Sequence, residues 1–293
     1  MQNMYINMKK FILFFIFILT ACNNHEGEQV VNQASIKIKV GDLGEQFLHR
    51  NNLPAKGHVN KQPAGINFYR YDWNTKSLGM VFVENGSHSF QIPFALGVMG
   101  AEDVSRVADG ITEIDVSAGI SATDTIMHDE ARRKFIVLLQ NLTKLGWKPV
   151  IAYEDPRLSG EQAYKYYVED NYYAFPLSYS PTFEQWMRIS TARWYLHADG
   201  VFLEVNFQRD SSKMDPNQPG AYLFSFNLQS KEEKAKAQFE GDDRDHWQEL
   251  WVDKIKSLKK QRYEKEKELV KRGYTIFTDY EEPKIHPADP VEP

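Results

Sequence analysis

Apolar and polar residues alternate cleanly near the centre of the C-terminal half. Val201, Leu203, Val205 and Phe207 fall on one side, and Glu204, Asn206 and Gln208 on the other. A period of two marks a strand with one buried and one wet face, the habit of antiparallel sheets. Residues 193–197 precede it across Ala198-Asp199-Gly200, so the two segments predict a hairpin. Tyr222, Phe224, Phe226 and Leu228 repeat the alternation and continue the meander. Earlier, residues 36–40 alternate apolar and charged, and residues 65–73 read as an aromatic strand. Residues 80–83 and 89–92 flank Asn85-Gly86, a pair that enters tight hairpin turns at little steric cost. Residues 111–116 and 150–153 predict further strands, and 274–277 a returning one.

A different period governs residues 129–146. Ala131, Phe135, Leu138, Leu142 and Leu145 recur at steps of four and three, which places them on one helical face. Asp129 and Glu130 suit the positive end of the helix dipole, and Gly146 offers a stop. Short helices are predicted within 41–50 and after two capping-box patterns, Ser159-Gly160-Glu161-Gln162 and Thr182-Phe183-Glu184-Gln185. Residues 243–272 predict a long charged helix whose narrow stripe is Trp247, Trp251, Ile255 and Leu258, weakening after Tyr263. Prolines at 283, 287, 290 and 293 predict a disordered tail over 282–293.

Strands that arrive as hairpins, rather than alternating with helices, predict an α+β fold with a mostly antiparallel sheet. The body spans residues 36–281. Its halves, 36–120 and 121–281, each place a hairpin with a glycine turn, at Gly86 and at Gly200. A duplicated unit would give that pattern, as would chance, and no repeat of residues accompanies it.

The N-terminal residues change the picture. Lys9 and Lys10 precede an unbroken apolar run over 11–19, followed by Thr20, Ala21 and Cys22, the chain's single cysteine. A positive start, a short apolar core and small residues at the cut make an export signal. The run is too short for a permanent membrane span, which needs about 20 residues. Leu19-Thr20-Ala21-Cys22 resembles the lipobox of bacterial lipoproteins. The resemblance implies removal of residues 1–21, acylation of Cys22 and anchoring in the cell envelope, facing the periplasm. A start at Met8 would suit that signal better than Met1. Asn23, where an aspartate tends to retain such proteins at the inner membrane, favours the outer membrane. Residues 22–35 form a polar tether with an expected span of about 20 Å. With one thiol and that thiol acylated, the body is held by packing and not by disulfides.

Without residues 1–21 the chain holds 33 basic and 40 acidic residues, a net charge of −7. That balance argues against nucleic acid as a partner, since phosphates demand clustered cations. The sequence shows no Gly-x-Ser-x-Gly elbow, no His pair at zinc-protease spacing and no phosphate loop. No catalytic residue, metal site or cofactor is expected. His128-Asp129-Glu130 and Asp242-Asp243-Arg244-Asp245-His246 read best as charged helix starts. The most unusual stretch is residues 164–173, half of them tyrosine. Tyrosine supplies rigid contact area with a polar tip. Tyr164, Tyr166, Tyr167, Glu169, Asp170, Tyr172 and Tyr173 are therefore the candidate partner-binding residues, in a neighbourhood also rich in acid at Glu154, Asp155 and Glu161.

Three stretches look like uncharacterised lipid-anchored immunity lipoproteins paired with type VI secretion lipase effectors. They run from Asp129-Glu130-Ala131-Arg132 to Gly146-Trp147, through Pro156-Arg157-Leu158, and over Trp194-Tyr195-Leu196-His197-Ala198-Asp199-Gly200. The resemblance implies a non-enzymatic protein that occludes a toxic effector encoded nearby, but carries over no binding residue. An envelope assembly lipoprotein docking through residues 243–272, and a hydrolase with an unrecognised site, are the alternatives.

Overall fold

The computed structural model describes residues 34–290. The expected signal over 1–21, the acylated Cys22 and the tether up to Gln33 lie outside the described residues, as do 291–293. In chain order the elements are β1 (Ser35–Ile38), α1 (Gly44–Arg50), β2 (Val59–Lys61), β3 (Ile66–Asp72), β4 (Gly79–Val83), β5 (Phe90–Asp103) and β6 (Ile111–Ala118). Then follow β7 (Ile126–Met127), α2 (His128–Lys144), β8 (Lys148–Pro149), α3 (Gly160–Tyr167), α4 (Phe183–Arg188), β9 (Thr191–Ala198) and β10 (Val201–Arg209). The chain closes with β11 (Pro219–Gly220), β12 (Tyr222–Ser230), α5 (Lys231–Lys236) and α6 (Trp247–Lys271).

The fold is α+β. One large sheet runs β1-β4-β5-β6-β12-β10-β9-β8, with β3 on β5 and β2 on β3. Every pairing in it is antiparallel except β1 on β4. The expected halves share this sheet, because β6 pairs β12. Ser35 already belongs to β1, one residue earlier than the expected body.

Register explains the core. Leu196, Leu203, Leu228 and Ile114 lie in one cross-strand row; Trp194, Val205, Phe226 and Val116 in the next; Ala192, Phe207, Phe224 and Ala118 in a third. All twelve are buried. Alternation sends them to one face, which α2 covers. Phe135 of α2 enters this face with its ring centroid 4.6 Å from Trp194, 5.2 Å from Phe224 and 5.9 Å from Trp186 and Phe207. Each such side chain contributes about 2–3 kcal/mol on burial.

The buried positions of α2 are His128, Ala131, Phe135, Leu139 and Leu142. Leu138, expected inside, is only half-buried, and the apolar stripe is rotated by one residue toward Leu139. Gly146 ends the helix as expected, at φ +85°. Its N–H donates to Thr143 O, and that of Trp147 to Leu142 O, closing the helix with a left-handed C-terminal cap. Trp147 is buried and its Nε1 donates to His88 O at 2.8 Å, which ties α2 to the β4–β5 turn.

Three expectations fail for physical reasons. Residues 150–153 are not a strand. Pro149 has no N–H to extend the ladder, and after Val150 donates to Tyr195 O the chain leaves the sheet. Residues 274–277 also lie outside any strand, although Phe277 N donates to Arg157 O at 2.7 Å. The long helix starts at Trp247 rather than 243, after a separate α5 and a 3-10 turn over Gly241–Arg244.

A fourth expectation fails more fully. Residues 282–290 are packed, not disordered. The apolar stripe of α6 gives way earlier than the expected point after Tyr263: beyond Ile255 the same helical face carries buried Lys259, Arg262 and Glu266 before Leu269. Glu282 lies 2.6 Å from both Lys259 Nζ and Arg262 Nη1. Lys259 also donates to Pro290 O, and Trp251 Nε1 to Asp289 at 2.7 Å. Ile285 is buried with Phe202, Ala235, Phe239, Trp247, Trp251 and Ile255 in a second, smaller core. Phe202 adjoins Leu203 in β10, so alternation puts this core on the opposite face of the sheet. Arg157 completes the ionic face, 2.7 Å from Glu266.

Truncation after Glu281 leaves two buried cations without their carboxylate. It is expected to destabilise the protein by about 3 kcal/mol or more in urea unfolding. An unchanged unfolding midpoint would show that the clasp holds nothing.

Candidate binding groove

The sheet is wider than the helix that covers it. Over β4, β5 and β12 this leaves a groove of about 570 Å³ along one flank of α2. Ile92, Phe224 and Phe226 form its buried floor. Leu138, Val137 and Asn141 of α2 form one wall, with Met80, Pro93 and Ile120 opposite. Val137 is 51% exposed, a branched apolar side chain facing solvent in mid-helix. The rotated stripe accounts for this wall: turning Leu139 into the core turns Leu138 toward the groove.

The opposite lip is irregular backbone. Pro93 sits inside β5 and cannot donate to a ladder. Phe94, next to it, takes φ +57°, a left-handed conformation that costs a non-glycine residue on the order of 1 kcal/mol or more. The register shifts between Gly79 and Met80 and again between Ala95 and Gly97. Such bulges gather beside functional surfaces, where they redirect side chains. Gly119 N donates to Phe94 O at 3.0 Å, fixing the kink against β6.

The groove's polar groups sit at its rim. Arg133 lies 3.5 Å from Asp129, and Lys134 lies 3.5 Å from Glu130. Both are half-exposed helix pairs worth about 0.3–0.5 kcal/mol, so they can be exchanged for contacts to a partner at little cost. The arrangement is an apolar slot with both signs of charge along one edge, suited to the apolar face of another chain.

The tyrosine stretch is mostly consumed by packing. Tyr167 and Tyr173 are core residues, their hydroxyls donating to Thr191 O at 2.6 Å and Pro156 O at 3.1 Å. Tyr164 and Tyr166 are half-buried, Tyr164 stacking on Tyr179 and Tyr166 meeting Tyr173 edge-on. Glu169 accepts from Arg272 and from Tyr274 Oη. Asp170 accepts from the N–H of Tyr172 in a local turn. Tyr172, 76% exposed, is the one tyrosine of the stretch presented whole to solvent. Ser159 makes no side-chain cap at the start of α3, whereas Thr182 completes its capping box at α4.

His128, Asp129 and Glu130 are not brought together. His128 is fully buried, its Nδ1 2.5 Å from Tyr222 Oη, and burial holds its pKa below the ordinary value. Gly220 makes room for it, since a Cβ there would lie 2.2 Å from the ring. Residues 242–246 form the turn before α6, with Arg244 bonded to Glu233. Among the described residues no group of three or more His, Cys, Asp or Glu side chains is placed to hold a metal.

The groove was missed in the sequence, where a proline between two apolar runs was its only mark. No family model, no curated protein and no solved structure matches this chain.

Asp155, in the acidic neighbourhood of the tyrosines, is half-buried beside Lys265 at 3.6 Å. Burial pushes its carboxyl up to about 6, against a partial lowering by Lys265. A folded-state pKa above the unfolded value favours the fold at low pH, and that contribution is lost as pH rises through about 6. Asp155→Asn removes the loss. Its stability relative to wild type, from urea unfolding, is expected to improve by about 2 kcal/mol between pH 4 and pH 7. A pH-independent difference would contradict the assignment.

Proposed function

We propose that this chain is a lipid-anchored periplasmic binding protein that neutralises a protein partner, in the manner of an immunity protein against a secreted antibacterial effector. The observation that carries the reading is the α2 groove. It joins an apolar floor, an exposed Val137 and a strained lip to a charged rim that can re-pair. The export signal supports the location, because Lys9, Lys10, the apolar run and Cys22 stand in lipobox order. A short apolar segment of the effector seats in the groove, and α2 lays its rim across the surface beside it. The resemblance to lipase-immunity lipoproteins supports the choice of effector class. An anchor at Cys22 holds the binder near lipid and raises its effective concentration where such a toxin acts.

The soluble fragment of residues 23–293 is expected to co-purify with the product of an adjacent effector gene. Val137→Asp lies on an exposed position and should keep the fold by circular dichroism. It places a charge in the apolar slot, and at least a tenfold weaker complex is expected, about 1.4 kcal/mol. A complex unaffected by Val137→Asp would move the interface elsewhere, and absence of any complex would end the immunity reading.

Acylation is tested separately. Cys22→Ser should shift the protein from the membrane to the soluble fraction or block its processing. Unchanged fractionation would refute the anchor.

A further inference from the structure

On the far side of the sheet from α2 lies a second cavity, about 250 Å³. Tyr195 of β9 and Phe202 of β10 supply its sheet wall, and the 150–154 segment, with Tyr153, a second. The C-terminal segment closes it with Tyr280, Pro283 and Ile285. One amine enters this space, that of Lys234 on α5.

Lys234 stands apart from the other inward-facing cations. Lys236 meets Glu232, Lys259 and Arg262 meet Glu282, and Arg157 meets Glu266, each within 2.7 Å. Among the described residues, no carboxylate lies within ion-pair distance of Lys234. Its Nζ lies over the face of Tyr195, 4.8 Å from the ring centroid. Glu204, Glu154 and Glu113 act on it only from farther away, and burial outweighs them, holding its pKa below the ordinary lysine value. A desolvated lysine without a paired carboxylate carries a larger share of free amine, the nucleophilic form.

We propose that Lys234 is a covalent capture site for small aromatic aldehydes, with the ring seated between the aromatic walls. The volume admits about one substituted ring, near the lower end of ligand pockets. Glu154 lines the cavity and Glu204 lies close by, so an uncharged carbonyl compound is favoured over an anionic one. In the reaction, the lysine nitrogen adds to the carbonyl carbon to give a carbinolamine. Loss of water then leaves a C=N bond, with the carbonyl oxygen departing in the water. No oxidant or reductant takes part. The site is separate from the α2 groove and does not depend on the function proposed for it.

The full chain is incubated at neutral pH with 2-hydroxybenzaldehyde and cyanoborohydride, whose hydride reduces the imine to a stable secondary amine. Label is then mapped by peptide mass spectrometry. Lys234 is expected to label at least tenfold faster than an exposed lysine such as Lys37, with its half-maximal rate at lower pH. The groups that shape that profile are Glu204 of β10, Glu113 of β6, Glu154, and the hydroxyls of Tyr195, Tyr153 and Tyr280. Lys234→Met, an apolar side chain of similar length, should abolish the fast phase while circular dichroism stays unchanged. Labelling spread over the lysines in proportion to exposure, or a fast phase that survives in Lys234→Met, would overturn the proposal. The wild-type labelling pattern decides the matter even if that variant fails to fold.

Discussion

The seating of Phe135 is the contact on which the rest is organised. Its ring meets Trp194, Trp186, Phe207 and Phe224, which come from β9, α4, β10 and β12. Trp186 stacks in turn on Phe207 and Tyr222, and Tyr222 reaches His128 at the start of α2. The helix is thereby fixed at its first turn by a hydrogen bond and at its middle by rings. At its last turn the cap at Gly146 and the indole of Trp147 hold it. Three fixed points set its rotation about its own axis. That rotation decides which of Leu138 and Leu139 is buried and therefore where the groove opens.

The two faces of the sheet solve the same problem with different chemistry. The α2 face is close-packed aromatic and aliphatic side chains. The opposite face has a smaller core, and α6 finishes the work with charge. Lys259, Arg262 and Glu266 continue the line begun by Trp251 and Ile255. Buried ion pairs are a weak source of net stability, because desolvation offsets most of the attraction. They are selective, however, since a cation this deep accepts only a partner that brings an oxygen to the right place. Glu282, Pro290 O and Ala152 O do so here. The ionic face thus specifies the path of the C-terminal segment more than it stabilises it.

Much of the fold was legible because alternation and helical period are properties of neighbours in sequence. The strands 36–40, 65–73, 111–116 and 222–228, both hairpins and the long α2 all follow from that. What stayed hidden depends on distant residues. The tail looked disordered because its prolines argue against regular structure, and residues 282–290 have none. Its order comes from Lys259 and Arg262, about twenty residues earlier. The tyrosine stretch looked like a recognition surface because composition does not reveal whether Tyr167 and Tyr173 point inward. The groove is a difference between the width of a sheet and that of a helix, which no local pattern encodes. Lys234 was one lysine in a charged run until Tyr195 and the C-terminal segment closed around it.

The position of the clasp also sets an order of assembly. All the strands of the large sheet, with α2 and α4, are present once the chain has reached Ser230, and the Phe135 core can form from them. The second core cannot, since Trp251, Asp289 and Ile285 come later and close on Phe202 from behind. A ribosome releasing this chain from its N-terminus therefore delivers the rings around Phe135 while β10 still shows Phe202 on a bare face, with Leu269 and Tyr274 of the main core still to come. Through that interval the outer side of the sheet is sticky. Residues 282–290, which emerge later, cover it, as a built-in cover strip arriving after the structure it protects.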